Sequence, residues 1–369
     1  MRKRHRTPSG RSMKSGANVA VIVLNWRNWT DTIECLESIR KTAGVPYKIV
    51  LCDNCSQDES IAKVMAWAEG TEAANTSGGP WAVMDHRGEA ARSVCRAAVV
   101  QPDSSEPWPE DCDLAIIANR KNLGFAGGNN VGLAYAIRNR SFTHFFLLNN
   151  DTVIRPDTVG NLLKRMDMAP SIGICGARIM DYHDPGRLQA AGGATYDRNR
   201  ATGCNISDAS LERDAVEQKM DYVCGAAMMV TRRFIEEIGL MSEDYFLYFE
   251  ELDWALRAKG RFALGYADDS VLYHKEGGTI GSKRVERASD LSLFYLTRNR
   301  LLFTRKHCAG SFLPVVLRLM FECMVHAKRR DYRAFRIVMR SVVHDLVHSP
   351  EQTKMCPDPE TPGLLGQQL

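Results

Sequence analysis

Asn149, Asn150 and Asp151 close the segment HFFLLNNDTVI, where an apolar run that reads as a buried strand breaks off into three small polar side chains. One carboxylate flanked by two amides suits a hard divalent cation carrying phosphate oxygens, and the carboxyl ends of strands are where open α/β sheets bind ligands. Taken alone, the same three residues also fit an Asx-rich turn. A second cluster, Glu250, Glu251 and Asp253, lies in DYFLYFEELDWALRAKG. Three carboxylates so close should push their pKa values apart and could leave one as a general base. The alternative is a solvated first helical turn whose acids complement the dipole. In a helix Glu250 and Asp253 share a face and Glu251 points elsewhere. His274 is either a satisfied histidine after a strand or, with Gly277, Gly278 and Gly281 beside it, part of a loop able to close over a phosphate or metal.

The elements that must position these groups follow from periodicity. NVAVIVLNW (18–26) and YKIVLCDNCSQD (47–58) are apolar runs ending in polar residues, with helical sequence from about Thr30 to Lys41 between them. Continuous apolar runs in a βαβ order predict strands buried on both faces of a parallel sheet. Asp53 then stands at the mouth of the second strand, able to accept from a ribose hydroxyl or a base N–H, or else to serve as a turn carboxylate. In NRKNLGFAGGNNVGLAYAI (119–137), Gly124, Gly127 and Gly128 permit close backbone approach to a ligand, and the segment after them can open a helix whose first N–H groups face an anion. The G-x-G-x-x-G spacing is lacking, so a nicotinamide dinucleotide site is not supported.

The ordered series LNW, CDNCSQD, NLGFAGGNN, LLNNDTVI, GAAMMVTRR, FLYFEELDWALR and YHKEGG resembles family 2 of the inverting glycosyltransferases, and within it the bacterial rhamnosyltransferase-like members. The resemblance runs from about Val19 to Arg305. It implies a GT-A fold, a Rossmann-like, mixed but mainly parallel sheet flanked by helices, and a metal-assisted transfer from a nucleotide sugar (dTDP-rhamnose or a UDP-hexose) to a hydroxyl of a saccharide or lipid-linked glycan, with inversion. Asp53 matches the carboxylate that meets the nucleoside, Asn25 begins the loop beside it, and Asn122 matches a polar residue near the base. Asn149, Asn150 and Asp151 match the D-x-D segment, with Asn149 in place of the first carboxylate. Asp151 is the expected ligand of Mn²⁺ or Mg²⁺, assisted by His274, which matches a ligand histidine of related members. The base motif falls on Glu250 and Glu251. Glu251 is the expected base, the choice between the two staying open, while Gly225 and Asp253 are expected at the acceptor pocket. The alternative from another class is a non-catalytic sugar-nucleotide-binding protein of the same fold. A processive polysaccharide synthase is disfavoured, since no Q-x-x-R-W segment is present.

With 369 residues, 44% apolar and 25% charged, the chain can bury a large core. The net charge of +4 is uneven: residues 1–14 carry six Lys or Arg and no acid, leaving −2 for the rest, and residues 281–345 hold 14 Lys or Arg against five acids. The organisation expected is a disordered basic arm (1–16), a GT-A domain (17–282) with an insertion at 70–113 that is partly helical near Glu89 to Ala98, a C-terminal helical region (283–348) and a tail (349–369). FLPVVLRLMFECMV (312–325) is read as a core helix, too short and too charged for a membrane span. Peripheral docking on an anionic membrane surface is the alternative. No nucleic-acid motif accompanies the basic residues. Cys52 and Cys55 straddle Asp53 with no second pair at zinc spacing, so the eleven cysteines read as reduced thiols of a cytoplasmic protein, peripheral at the inner face of the membrane if it docks.

Overall fold

A computed structural model describes residues 18–76, 78–82, 95–102, 108–109, 111–275 and 289–347. The expected glycine loop after His274, the basic arm and the tail lie outside them. The N-terminal part runs β1 (Val19–Asn25), α1 (Trp29–Arg40), β2 (Tyr47–Asp53), α2 (Ser60–Ala68), β3 (Ala97–Val100), β4 (Leu114–Ala118), α3 (Gly124–Ala136) and β5 (His144–Asn149). The middle adds β6 (Thr152–Ile154), α4 (Thr158–Met168), β7 (Ile172–Asp181), β8 (Leu188–Ala191), β9 (Gly193–Asp197), β10 (Thr202–Asn205), α5 (Arg213–Lys219), β11 (Tyr222–Val223) and β12 (Ala227–Thr231). The remainder is α6 (Arg232–Ile238), α7 (Glu250–Ala258), β13 (Ala263–His274), α8 (Asp290–His307), α9 (Phe312–Lys328) and α10 (Tyr332–Val347).

Among the described residues the main sheet has the order β3-β4-β2-β1-β5-β12-β7-β13-β6, with β8 paired to β7. Strands β3, β4, β2, β1 and β5 are parallel, and β12 is wedged antiparallel between β5 and β7. The mixed, mainly parallel sheet of the GT-A class is therefore present, with its helices on both faces. The sequence of β1 shows why: Val19, Val21 and Val23 enter one apolar layer, Ala20 and Ile22 the other, so a pleated strand buried on both sides must be apolar at every position.

Two expectations need correction here. Ala97 and Ala98 were expected to end a helix, yet AAVV forms β3 and pairs in parallel with β4 at the sheet edge, because a free edge of β4 and two β-branched residues favour a strand there. The second concerns 312–325. Val315, Leu319 and Cys323 of α9 are buried against Leu301, Val338 and Val342, with Phe312 and Val316 partly covered, but Leu313, Leu317, Met320, Phe321 and Met324 are exposed. Together with the turn before it, Ala309–Lys328 is long and apolar enough to cross a membrane by length and composition only, a test that a helix of a soluble protein also passes.

Candidate functional site

Strand register assembles the first half of the site. β1 pairs with β2 so that Asn25 lies opposite Asp53, and with β5 so that Leu24 lies opposite Asn149. The three polar ends therefore share one edge of the sheet. A cavity of about 460 Å³ opens there, its wall including Asn122, Asn149, Asn150, Asp151, Glu250, Glu251, Gly225 and His274.

Asp151 and His274 meet because β13 runs antiparallel to β6, which sets His274 opposite Thr152. His274 Nε2 lies 3.2 Å from Asp151 Oδ1. Its Nδ1 faces Gln189 Oε1 at 3.1 Å, and Gln189 Nε2 donates to the His274 carbonyl at 2.9 Å. Gln189 thus fixes the ring from behind, as ligand histidines usually are fixed. Two donors about 3 Å apart are spaced like adjacent ligands on a small cation with bonds of ~2.1 Å. Among the described residues no third His, Cys, Asp or Glu joins them, so further donors would come from the diphosphate and water, as is common for Mg²⁺. The residues fit such an ion.

Asn25, Asp53 and Asn150 behave differently. The Asp53 carboxylate accepts from Asn25 Nδ2 (2.7 Å), from the Ser56 amide (3.0 Å) and from the Ser56 hydroxyl. Asn25 Oδ1 accepts from Thr32 Oγ1 at 2.8 Å, and Asn150 Nδ2 donates to Thr32 Oγ1 at 2.9 Å. Asp53 and Asn25 do not line the cavity; they form a buried polar brace beneath it, since a carboxylate at 4% exposure must be satisfied internally. The residue at the cavity wall is the neighbour, Asn54, which donates to Asn122 Oδ1 (2.8 Å) and the Gly124 carbonyl (3.0 Å).

The glycines of α3 serve close packing, Gly124 at the cavity wall. Gly124 has φ +72°, and a Cβ there would stand 2.3 Å from the Phe246 carbonyl, while one at Gly128 would strike Leu24. The Phe125 amide already donates to that carbonyl at 2.6 Å, so this N–H of the helix start is taken.

Phe246 belongs to the strap that delivers the acidic pair. Phe246, Tyr248 and Phe249 all have positive φ (62°, 68° and 78°), and Glu250 follows at the first position of α7. Non-glycine residues hold such angles only where surroundings over-determine them. Here Asn299 of α8, fully buried, donates from Nδ2 to the carbonyls of Tyr245 (2.8 Å), Leu247 (2.7 Å) and Tyr248 (3.1 Å). Leu291 and Leu296 of the same helix line the cavity, so the C-terminal region is built into the site.

Entering α7 through this strap turns both glutamates to the cavity. Glu250 is 1% exposed with Oε2 unpaired among the described residues, and burial first, then the neighbouring Glu251 charge, raises its carboxyl well above the usual range. Burial pushes Glu251 up to about 7. Glu251 is the more accessible of the two, half-buried at the wall. Gly225 makes room for it: a Cβ there would fall 2.0 Å from Glu251 Oε1. Tyr222 stands nearby, its phenol kept protonated by burial and then by the Glu251 charge.

Asp253 departs from expectation. It does not line the cavity. Fully buried, it accepts from Arg257 Nε (2.7 Å), Lys306 Nζ (2.9 Å) and Tyr245 OH (3.2 Å), with His307 Nε2 at 2.7 Å. Burial alone would raise its carboxyl, but His307, Lys306 and Arg257 outweigh that and hold it well below the usual carboxylate range. Three residues further along the helix, its side chain turns toward the end of α8.

Gln189, Asn54, Tyr222 and Asn299 were not foreseen. For Asn299 a signal exists, since Arg298–Asn299–Arg300 interrupts an apolar helical run on its buried side. For Gln189, a lone amide in a short strand, the sequence offers none.

Residues 98–239 match the family model described as Glycosyl transferase family 2. The Low-salt glycan biosynthesis hexosyltransferase Agl10 of Haloferax volcanii is 24% identical over 169 residues, 45% of this chain and 54% of that protein. Galactofuranosyltransferase GlfT2 of Mycolicibacterium smegmatis is 22% identical over 258 residues, 65% of this chain and 38% of that protein. The chain thus spans about half or less of the curated relatives it matches. S. aureus TarS 1–349 in complex with UDP-GlcNAc superposes with a TM-score of 0.50 at 12% identity, covering 91% of this chain and 82% of that one. GalNAc-T7 with UDP, GalNAc and Mn²⁺ gives 0.50 at 12% identity over 78% and 48%. At that identity the likeness establishes the fold.

Proposed function

We propose that this chain, whose fold is of the GT-A class and whose residues 98–239 match the glycosyl transferase family 2 model, moves a sugar from a nucleoside diphosphate carrier to a hydroxyl of a saccharide or lipid-linked glycan acceptor, with inversion. The observation that carries the reading is a pair of adjacent glutamates, one buried and one half-buried, lining one cavity with an aspartate and a histidine.

Glu251, raised to about 7 by burial, is poised to take a proton near neutral pH. Its carboxylate removes the proton from the acceptor hydroxyl as that oxygen bonds to the anomeric carbon. The bond from that carbon to the diphosphate oxygen breaks on the opposite face, and the electron pair leaves with the diphosphate. Glu250, more deeply enclosed, has its carboxyl raised well above the usual range by burial and by the Glu251 charge, which disfavours ionising both at once. Asp151 and His274 would hold a divalent cation, which when bound supplies positive charge to the departing diphosphate. Asn54 and Asn122 stand at the wall where the carrier's polar groups would dock. The aromatic wall of Phe246, Tyr248 and Phe249 limits water at the base.

The test joins binding to turnover. UDP-hexoses and dTDP-rhamnose, each with Mn²⁺, are screened by thermal shift, since a ligand of the native state raises the melting temperature. The matching donor is then used with Glu251→Gln, which keeps donor binding and lowers transfer by ~10²- to 10⁴-fold. If no sugar nucleotide shifts the melting temperature, the donor reading fails. A fully active Glu251→Gln removes the base.

A further inference from the structure

We propose that α9 docks the protein onto the surface of an anionic lipid bilayer, lying in the plane of the interface. Leu313 (66% exposed), Leu317 (60%), Met320 (37%), Phe321 (50%) and Met324 (62%) stand outward on this helix. At 100° per residue these five positions fall within one face about 100° wide and roughly 17 Å long, opposite the moored side. Removing that much apolar surface from water is favourable, and a stripe of this kind marks an interaction site rather than scattered surface residues.

The charge pattern selects the occupant. Lys328, Arg329 and Arg330 are exposed where the stripe ends, and Lys328 falls on the stripe's own face. None of the exposed residues from 313 to 330 is acidic. A second copy laid on this face would bring a neutral or basic surface against another, without an acidic complement. Anionic headgroups over an apolar layer supply both halves of what the stripe lacks.

The helix lies on the surface rather than crossing it because its other face is committed. Val315, Leu319 and Cys323 are buried against α8 and α10. Glu322 accepts from Arg300 Nη1 of α8 at 2.7 Å and from Arg318 Nε at 3.0 Å. Spanning a bilayer would strip these contacts and carry an ion pair into hydrocarbon.

The test uses the full chain and does not depend on the proposed transfer. Sedimentation is measured with phosphatidylcholine vesicles alone and with vesicles containing phosphatidylglycerol. The expected result is salt-sensitive binding to the anionic vesicles and little to the neutral ones. The triple variant Leu317→Glu/Phe321→Glu/Met324→Glu and the triple variant Lys328→Glu/Arg329→Glu/Arg330→Glu each weaken binding by at least about a hundred-fold, with unchanged melting temperature. The second set, at an exposed helix end, decides the matter if the first fails to fold. Absence of vesicle binding overturns the proposal. So does binding that survives both variants, which would place it on the basic arm, or a wild-type dimer that Leu317→Glu makes monomeric, which would place a second copy on the stripe.

Discussion

Replacing Asn299 by alanine tests whether the acidic pair depends on its strap. Two N–H donors of this side chain serve the carbonyls of Tyr245, Leu247 and Tyr248. Without them at least two buried carbonyls lose a partner, at about 1–3 kcal/mol each. If the strap kept its shape, the loss would be about 2–6 kcal/mol, a fall of several degrees in melting temperature for a chain of this size. The strap has another way out. Its three left-handed residues each hold about 1 kcal/mol or more of strain, so relaxation recovers part of the loss and lets the start of α7 move. A shift of about 1 Å at Glu251 is enough to lower turnover ~10²-fold. The assay pairs thermal denaturation with donor binding and release of nucleoside diphosphate. Donor affinity should stay within a few-fold, because Asp151 and His274 are set by β6 and β13, while release falls far more than the folded fraction. Wild-type release from Asn299→Ala, at an unchanged melting temperature, would refute the reasoning.

Nucleoside diphosphate release should rise about tenfold per pH unit below neutrality and level off above about 7, because the burial-raised Glu251 carboxyl is protonated and inactive on the acid side; a flat profile between pH 5.5 and 8 removes Glu251 as base. Gly225→Ala places a methyl 2.0 Å from the present position of Glu251 Oε1, so the carboxylate swings aside and kcat drops roughly 10- to 100-fold at unchanged donor affinity, measured by steady-state kinetics. Asp253→Asn removes the charge on which Arg257, Lys306 and His307 converge and costs about 3–5 kcal/mol in chemical denaturation. Because that carboxyl is held low in the fold, its contribution in the wild type is present above the unfolded value near 3.8 and lost as pH falls further; acid unfolding should begin at a higher pH in the variant.

The parallel half of the fold was legible because β1, β2 and β5 are buried on both faces and must be apolar at each position. The ends of those strands were legible as polar interruptions, and β13 brought His274 to Asp151 as the motif order implied. Helical spacing set Glu250 and Asp253 on one face of α7 without saying that this face is buried. It could not show that a left-handed strap rotates the first turn so that Glu250 and Glu251 both reach the cavity while Asp253 reaches α8. The carbonyls of that strap are held by Asn299, about fifty residues later. Asp53 was visible as a carboxylate at a strand end, but whether it faces a ligand or Asn25 and Ser56 is decided by side-chain partners that no spacing encodes. For α9, composition gave an apolar helix without saying which side the domain covers.

The reversed strand between β5 and β7 has a consequence during synthesis. Once Asn149 has emerged from the ribosome, β5 can pair with β1, yet its opposite margin, with Phe145, Phe146, Leu147 and Leu148, waits for Ala227–Thr231. At ~5–20 residues per second that margin stays open for on the order of ten seconds. Fragments that stop before residue 227 keep it open for good, as a sticky hydrogen-bonding seam prone to aggregation.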